Sequence, residues 1–237
     1  MKIPVMELFG PTIQGEGMVI GQKTMFVRTG GCDYSCSWCD SSFTWDGSAR
    51  STLMETEAIV SELEKIGGER FSHVTISGGN PALHKGIGEL IELCHQRGWK
   101  VAVETQGSLW QDWMLAIDDV TISPKPPSSG METDFAKLDH YIEQLTAASS
   151  NASLKVVIFD EADFTYAEHV HKRYPAVPFF LQIGNDDSTT TDDEALVAKL
   201  LSRFEWLIER TIESKEMNDV KVLPQLHTLL WGNKRGV

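Results

Sequence analysis

The feature that most constrains this chain is a repeated order: a short β-branched run, then a helical pattern, then another such run. Strand-like runs occur at Thr24–Arg28, His73–Ser77, Lys100–Glu104, Val120–Ser123, Leu154–Phe159, Phe179–Ile183 and Val220–Leu223. Between them, helical spacing covers Glu55–Ile66, Ile87–Arg97, Phe135–Leu145, Asp163–Tyr174 and Asp192–Glu209, with a short amphipathic piece around Trp110–Ile117. Ile59, Leu63 and Ile66 share one helical face that stops at Gly67-Gly68, and Leu90, Leu93 and Cys94 share another that stops at Gly98. Alternation of this kind builds βα units and a mainly parallel sheet. The expected fold is α/β, an incomplete TIM-like βα barrel of about six parallel strands. No repeat, low-complexity tract or charge block marks a linker, so residues 1–237 are expected to form a single domain.

In folds of this type the site lies at the C-terminal ends of the strands. Polar and glycine residues gather there: Arg28 and the loop beyond it, Ser77-Gly78-Gly79-Asn80-Pro81, Glu104-Thr105-Gln106-Gly107, Ser123-Pro124-Lys125-Pro126, and Gln182–Asp187. The opposite strand ends are unremarkable in composition.

The first of these loops, Gly30–Ser41, holds three of the four cysteines in a C-x3-C-x2-C spacing: Cys32, Cys36 and Cys39. Thiolates are soft ligands that suit zinc or iron–sulfur clusters. A four-iron cluster has four corners to ligate, so three cysteines leave one iron open for chemistry. A structural zinc knuckle, with a histidine or Cys94 as fourth ligand, is the competing reading. Cys94 sits on an apolar helix face and reads as a small core residue. No apolar run approaches the roughly 20 residues of a membrane helix, and the N-terminus lacks a signal-peptide core. Clustered cysteines in such a chain point to a cytoplasmic metal or redox site rather than a disulfide framework. With 34 acidic against 21 basic residues, the net charge of −13 argues against a nucleic-acid surface. It leaves room for a small anionic substrate held by a local cation such as Arg28 or Lys125.

With Trp38 directly before Cys39, the cysteine loop resembles that of the radical S-adenosylmethionine (SAM) superfamily. Ser77–Pro81 resembles that superfamily's glycine-glycine-glutamate-proline element, with Asn80 where glutamate is common. Asparagine brings no charge there, but its carbonyl oxygen can still accept from an ammonium. Together with PTIQGEG at Pro11–Gly17, Arg28, the Cys-Asp-Ser of residues 39–41, ETQG and SPK, this set resembles the 7-carboxy-7-deazaguanine synthase family, in its Bacillus-type version, over essentially the whole chain.

The resemblance implies a radical SAM core that converts 6-carboxy-5,6,7,8-tetrahydropterin to 7-carboxy-7-deazaguanine with loss of ammonia, on the route to 7-deazapurines such as queuosine. It implies a [4Fe-4S] cluster on Cys32, Cys36 and Cys39, and S-adenosylmethionine against Trp38, Gly79, Glu104, Ser123, Pro124 and Lys125. It places the pterin against Ile13, Gln14, Gly15 and Arg28, with Ser77 between the two ligands and Gln182 and the Val237 carboxylate closing over the substrate. It puts Mg2+ on Ser41, a hard oxygen ligand, with Asp40 as the rival. It further implies a separate electron donor and a homodimer, while the acidic charge and the lack of a long apolar run leave neither nucleic acid nor membrane as an expected partner. No acid–base pair stands out, and His73, His84 and His227 are expected to be structural or surface residues. A glycyl-radical activase shares the cysteine spacing, but it leaves PTIQGEG and Ser41 without a role.

Overall fold

The computed structural model describes residues 1–237. Nine strands form one sheet: β1 (Lys2–Ile13), β2 (Lys23–Thr29), β3 (Thr52–Glu55), β4 (His73–Gly78), β5 (Lys100–Thr105), β6 (Asp119–Ile122), β7 (Ala152–Ile158), β8 (Phe179–Ile183) and β9 (Lys221–Leu223). Their order is β3-β1-β2-β4-β5-β6-β7-β8-β9. From β2 to β9 every pairing is parallel, whereas β1 runs antiparallel to both β2 and β3. The edges do not meet, so the barrel is incomplete as expected. The parallel strands number seven, because even the three-residue β9 joins β8.

The strands β1 and β3 were not expected. Pro4, Gly10 and Pro11 interrupt the first twelve residues, and proline inside a run argues against a strand. The structure accommodates them with register shifts on either side of Glu7–Phe9, and Gly10 takes φ +121°. PTIQGEG is therefore the end of a long strand and the turn that follows it.

Helices α1 (Thr56–Gly67), α2 (Ile87–Gln96), α3 (Phe135–Ala147), α4 (Glu161–Arg173) and α5 (Asp193–Glu213) cover the outer face, and a short α6 (Leu226–Trp231) follows β9. Asp134, Asp160 and Asp192 accept hydrogen bonds from the first backbone N–H groups of α3, α4 and α5, each cap worth about 1 kcal/mol. Strand alternation sorts the residues. Val74 and Ile76, Val101 and Val103, and Leu154, Val156 and Ile158 point out to the helices and join one continuous apolar core. Each such buried side chain contributes about 1.5–3 kcal/mol. The alternate residues point inward and are polar or small: Arg28, Ser77, Glu104, Ser123, Lys155 and Gln182. Cys94 is fully buried in the core, as its helical face implies.

Candidate active site

The inward residues open into a cavity of about 260 Å³ at the C-terminal ends of the parallel strands. Sheet register sets its floor: Arg28 pairs with Ser77, and Glu104 pairs with Thr121, which pairs with Ser153.

The cysteine loop forms one wall. Its backbone is clamped from outside by the segment that follows Lys125: Ser37 N donates to Ser129 O at 2.9 Å, Ser37 Oγ to Ser128 O at 2.7 Å, and Trp38 Nε1 to Ser128 Oγ at 3.0 Å. That segment is itself held by the buried Asp163, which accepts from Ser128 N and Phe159 N, both at 3.0 Å. On the inner side, Gly78 and Gly79 let β4 touch the loop. A Cβ on Gly79 would fall 1.9 Å from the Gly31 carbonyl oxygen, and one on Gly78 2.3 Å from that of Thr29. These glycines are required by the approach of the cysteine loop itself.

Cys32, Cys36 and Cys39 are free thiols on the cavity wall. Burial raises all three, Cys39 to about 11, so thiolate character there depends on a cationic partner. That donor set fits an iron–sulfur cluster.

Beside the cysteines, Trp38 packs on Phe159 with ring centroids 5.1 Å apart, and Lys125 Nζ stands 5.9 Å from the Trp38 ring and 3.1 Å from Ser123 Oγ. Ser77 Oγ is buried without a hydrogen-bond partner, which suits a ligand that supplies one. Pro124 does not line the cavity; it is buried behind it. Asn80 departs from its expected use. It is fully buried and all four of its hydrogen-bonding positions are taken: Oδ1 accepts from Thr105 Oγ1 at 2.9 Å and Ala82 N at 3.1 Å, while Nδ2 donates to Asp33 Oδ1 at 2.8 Å and Ser108 Oγ at 3.1 Å. Nothing remains for an ammonium in the cavity. Gln106 joins this network, donating to Asp33 Oδ1 at 2.6 Å and lying 3.6 Å from Cys32 Sγ.

At the opposite wall, Arg28 NH1 donates to Ser41 Oγ at 2.7 Å, and Ser41 Oγ donates to Asp40 Oδ1 at 3.0 Å. Arg28 Nε lies 3.0 Å from Glu7 Oε2 without hydrogen-bond alignment, and its guanidinium sits between the rings of Phe9 and Phe43. Ile13, Gln14 and Gly15 come over the cavity from the end of β1. Gly15 has no room for a side chain, since a Cβ would meet His227 Nδ1 at 2.4 Å. Gly17 N donates to Gln182 Oε1 at 3.4 Å, which ties this turn to β8. The C-terminal residues, Val237 included, complete the lining.

Of the lining residues that went unassigned, Lys155, Glu16, Gln225 and His227 gather in one polar cluster. Lys155 on β7 is 2% exposed, and its ammonium meets Glu16 Oε2 at 2.6 Å and Glu104 Oε1. Burial works against its charge, but Glu104 and Glu16 outweigh burial and hold it above the usual lysine range. Burial likewise opposes the charge on Glu16, and Lys155 and His227 overcome it, holding the carboxyl well below its usual range. Gln225 donates to Glu16 Oε1 at 2.8 Å and to Asp40 Oδ2 at 3.1 Å. His227, expected to be structural, lines the cavity with Glu16 and Asp40, their donor atoms within 4.8 Å of one another. His73 and His84 are structural as expected, bonded to Thr24 Oγ1 and Gly30 O at 2.8 Å each.

The Radical SAM superfamily pattern matches residues 26–124. The 7-carboxy-7-deazaguanine synthase of Bacillus cereus is 65% identical over 100% of this chain and 99% of that protein. That of Bacillus subtilis is 62% identical over 99% of this chain and 98% of its own. The chain belongs to the 7-carboxy-7-deazaguanine synthase family. Its function is that of the family, formation of 7-carboxy-7-deazaguanine by a radical SAM enzyme. The crystal structure of QueE from Escherichia coli superposes with a TM-score of 0.70, at 22% identity, over 96% of this chain and 95% of that one, and shows the same fold.

Proposed function

We propose that the cavity holds both ligands of the family's reaction at once, with 6-carboxy-5,6,7,8-tetrahydropterin as the substrate and ammonia as the released group. The observation that carries this reading is the single cavity, which has the three cysteines on one wall and the Arg28–Ser41 pair on another. A [4Fe-4S] cluster and S-adenosylmethionine bound there would supply one-electron radical chemistry directed at the pterin. The protein positions and shields, as cofactor enzymes do.

Cys32, Cys36 and Cys39 hold the cluster. Trp38, Gly79, Glu104, Ser123 and Lys125 form the cofactor side, with Pro124 acting from behind by restricting the backbone between Ser123 and Lys125. Ser77, on the strand between, offers its unpartnered hydroxyl to either ligand. On the substrate side, Arg28 meets the pterin carboxylate, Ile13, Gln14 and Gly15 cover the ring, and Gln182 and the Val237 carboxylate close over it.

The Ser41 hydroxyl gives its proton to Asp40 and one lone pair to Arg28, which leaves one lone pair for Mg2+. Hard oxygen donors suit that ion. A cation held by Ser41 would lie near the Arg28 guanidinium, so the substrate carboxylate would have to offset their repulsion. Asp40 then orients Ser41 rather than replacing it.

The reading carries an external one-electron donor, a homodimer, a cytoplasmic setting and a place in queuosine biosynthesis. No helix is long and apolar enough to cross a membrane, and the cysteines are unpaired. One sheet running from Lys2 to Leu223 supports a single domain.

The test is anaerobic reconstitution with iron and sulfide, followed by incubation with SAM and the carboxytetrahydropterin, with and without magnesium. Deazaguanine formation that magnesium stimulates is expected. SAM cleavage without that product would sink the substrate assignment. A colourless protein that retains one zinc would sink the cluster.

A further inference from the structure

The cofactor side and the substrate side of the cavity are joined by a continuous line of polar contacts whose centre is Lys155. From Glu104 the line passes to Lys155 Nζ, then 2.6 Å to Glu16 Oε2. From the other oxygen of Glu16 it continues 2.8 Å to Gln225 Nε2 and 3.1 Å on to Asp40 Oδ2. Asp40 then holds Ser41 at 3.0 Å, and Ser41 holds Arg28 at 2.7 Å. We propose that Lys155 is a positioning residue that fixes the cofactor-side carboxylate Glu104 and the substrate-side carboxylate Glu16 together, so that the binding of each ligand depends on it. The proposal rests on the reading of the two ligand sides given above.

The physical argument is one of charge and reach. Glu16 comes from the turn after β1 and Glu104 from the end of β5, far apart in sequence and on separate segments. Two carboxylates brought together at the cavity floor repel, and each separately favours turning to water. Lys155 has a side chain only 3% exposed, while those of Glu16 and Glu104 are 16% and 24% exposed. The ammonium is therefore the buried hub, and the carboxylates are the parts that face the cavity. A buried ammonium between two carboxylates offsets their repulsion and fixes the orientation of each. Glu104 thereby presents its free oxygen to the cofactor. Glu16 holds Gln225 and, through it, the Asp40–Ser41 pair beside Arg28. Lys155 reaches both ligands through other residues, and its removal disturbs both.

Lys155→Met keeps most of the aliphatic volume and removes the charge. In the reconstituted holoenzyme, equilibrium dialysis of SAM is expected to show binding weakened about tenfold, and the KM for the pterin is expected to rise by about the same factor. Iron per chain and the visible cluster absorbance stay at the wild-type level. Glu104→Gln is expected to weaken SAM binding alone, and Glu16→Gln to raise the pterin KM alone. Lys155→Arg retains the charge and is expected to recover part of both losses. A merely structural role gives a different pattern: fewer active molecules, hence a lower kcat, with unchanged affinity in those that remain. Should Lys155→Met fail to fold, Gln225→Ala breaks the line on the substrate side only and must raise the pterin KM while leaving SAM binding intact. Loss of affinity for one ligand only in Lys155→Met, or for neither, overturns the proposal. Wild-type turnover of the pterin is measured in parallel. Its failure would overturn the functional reading, whereas normal turnover with uncoupled Lys155→Met effects overturns this inference alone.

Discussion

Two polar networks flank the cavity, and they are built from opposite materials. Beside Cys32, Asn80 and Gln106 use neutral amides to hold one exposed carboxylate, Asp33. At the floor, Lys155 uses a buried charge to hold Glu16 and Glu104. The amide network is locally complete at Asn80, where each donor and acceptor has its partner, and the carboxylate it holds stays exposed to solvent. The charged cluster depends on its centre, because removal of Lys155 leaves both carboxylates without their partner. The neutral network therefore suits a fixed support for the cysteine wall, and the charged one suits a link between parts that must act together.

The largest expected effect breaks the charged network. Lys155→Met leaves two carboxylates without their partner and is expected to cost about 3–5 kcal/mol of stability in urea unfolding. The pH dependence sharpens this. Glu16 is held below its ordinary 4.5, so in the native chain its contribution is complete above that pH and is lost as pH falls through the lower folded value. Lys155 is held above its ordinary 10.5, so its contribution is complete below that pH and is lost as pH rises through the higher folded value. Between these limits the native pair is insensitive to pH. In the variant, Lys155 no longer offsets burial at Glu16 and His227 remains to oppose it, so the carboxyl rises from its native position. Ionised Glu16 then contributes less stability than in the native chain. The gap between native and variant should widen as pH rises through the carboxylate range; a constant gap would mean that Glu16 turns out to water.

The neutral side yields smaller effects. Gly79→Ala forces a Cβ against the Gly31 carbonyl, so the β4 end and the cysteine loop must separate. About 1–3 kcal/mol is expected, with reduced iron uptake on reconstitution as the more specific readout. Asn80→Ala strands the Thr105 hydroxyl and the Ala82 N–H, again at about 1–3 kcal/mol. Asn80→Asp separates amide from charge. It retains the acceptor but turns the donor into a second carboxylate facing Asp33. Its cost should shrink when the pH is lowered, whereas that of Asn80→Ala should not.

The same contrast explains what could be read from the chain before its structure was known. The outer face of the sheet follows simple periodicity, so β8 was placed at Phe179–Ile183 without error. The rim at the strand ends was legible because glycines and polar residues break β-branched runs there. Lys155 was not, because it sits mid-strand in LKVVIF and its inward direction has meaning only once Glu16 and Glu104 are known to meet it. Strict period-two counting from Ser153 would have turned it inward with Val157. Asn80 was misread for a related reason: a motif position identifies the backbone, while the direction of the side chain depends on Thr105 and Asp33 from other segments. The turn after β1 is legible as a motif, yet its Gly15 meets His227 of α6 only in the folded chain.

The smallest effect tests whether a rim cation behaves like the buried one. Arg235 stacks on Phe43 with its guanidinium 3.5 Å from the ring centroid, and it pairs with Glu7, the carboxylate that also stands beside Arg28. Unlike Lys155, its side chain is 54% exposed, so solvent screens the pair and Arg235→Ala is expected to cost only about 0.5 kcal/mol. Function should respond more than stability does. Arg235 lies two residues before Val237, which lines the cavity, and without it the C-terminal residues lose their hold on Phe43 and Glu7. The pterin KM should rise about two- to threefold, a change under 1 kcal/mol, while SAM binding stays as in the native enzyme. That one-sided response would distinguish the exposed cation from Lys155, whose loss is expected to reach both ligands. A comparable loss of SAM affinity in Arg235→Ala would show that the two sides of the cavity are coupled through the rim as well as through the floor.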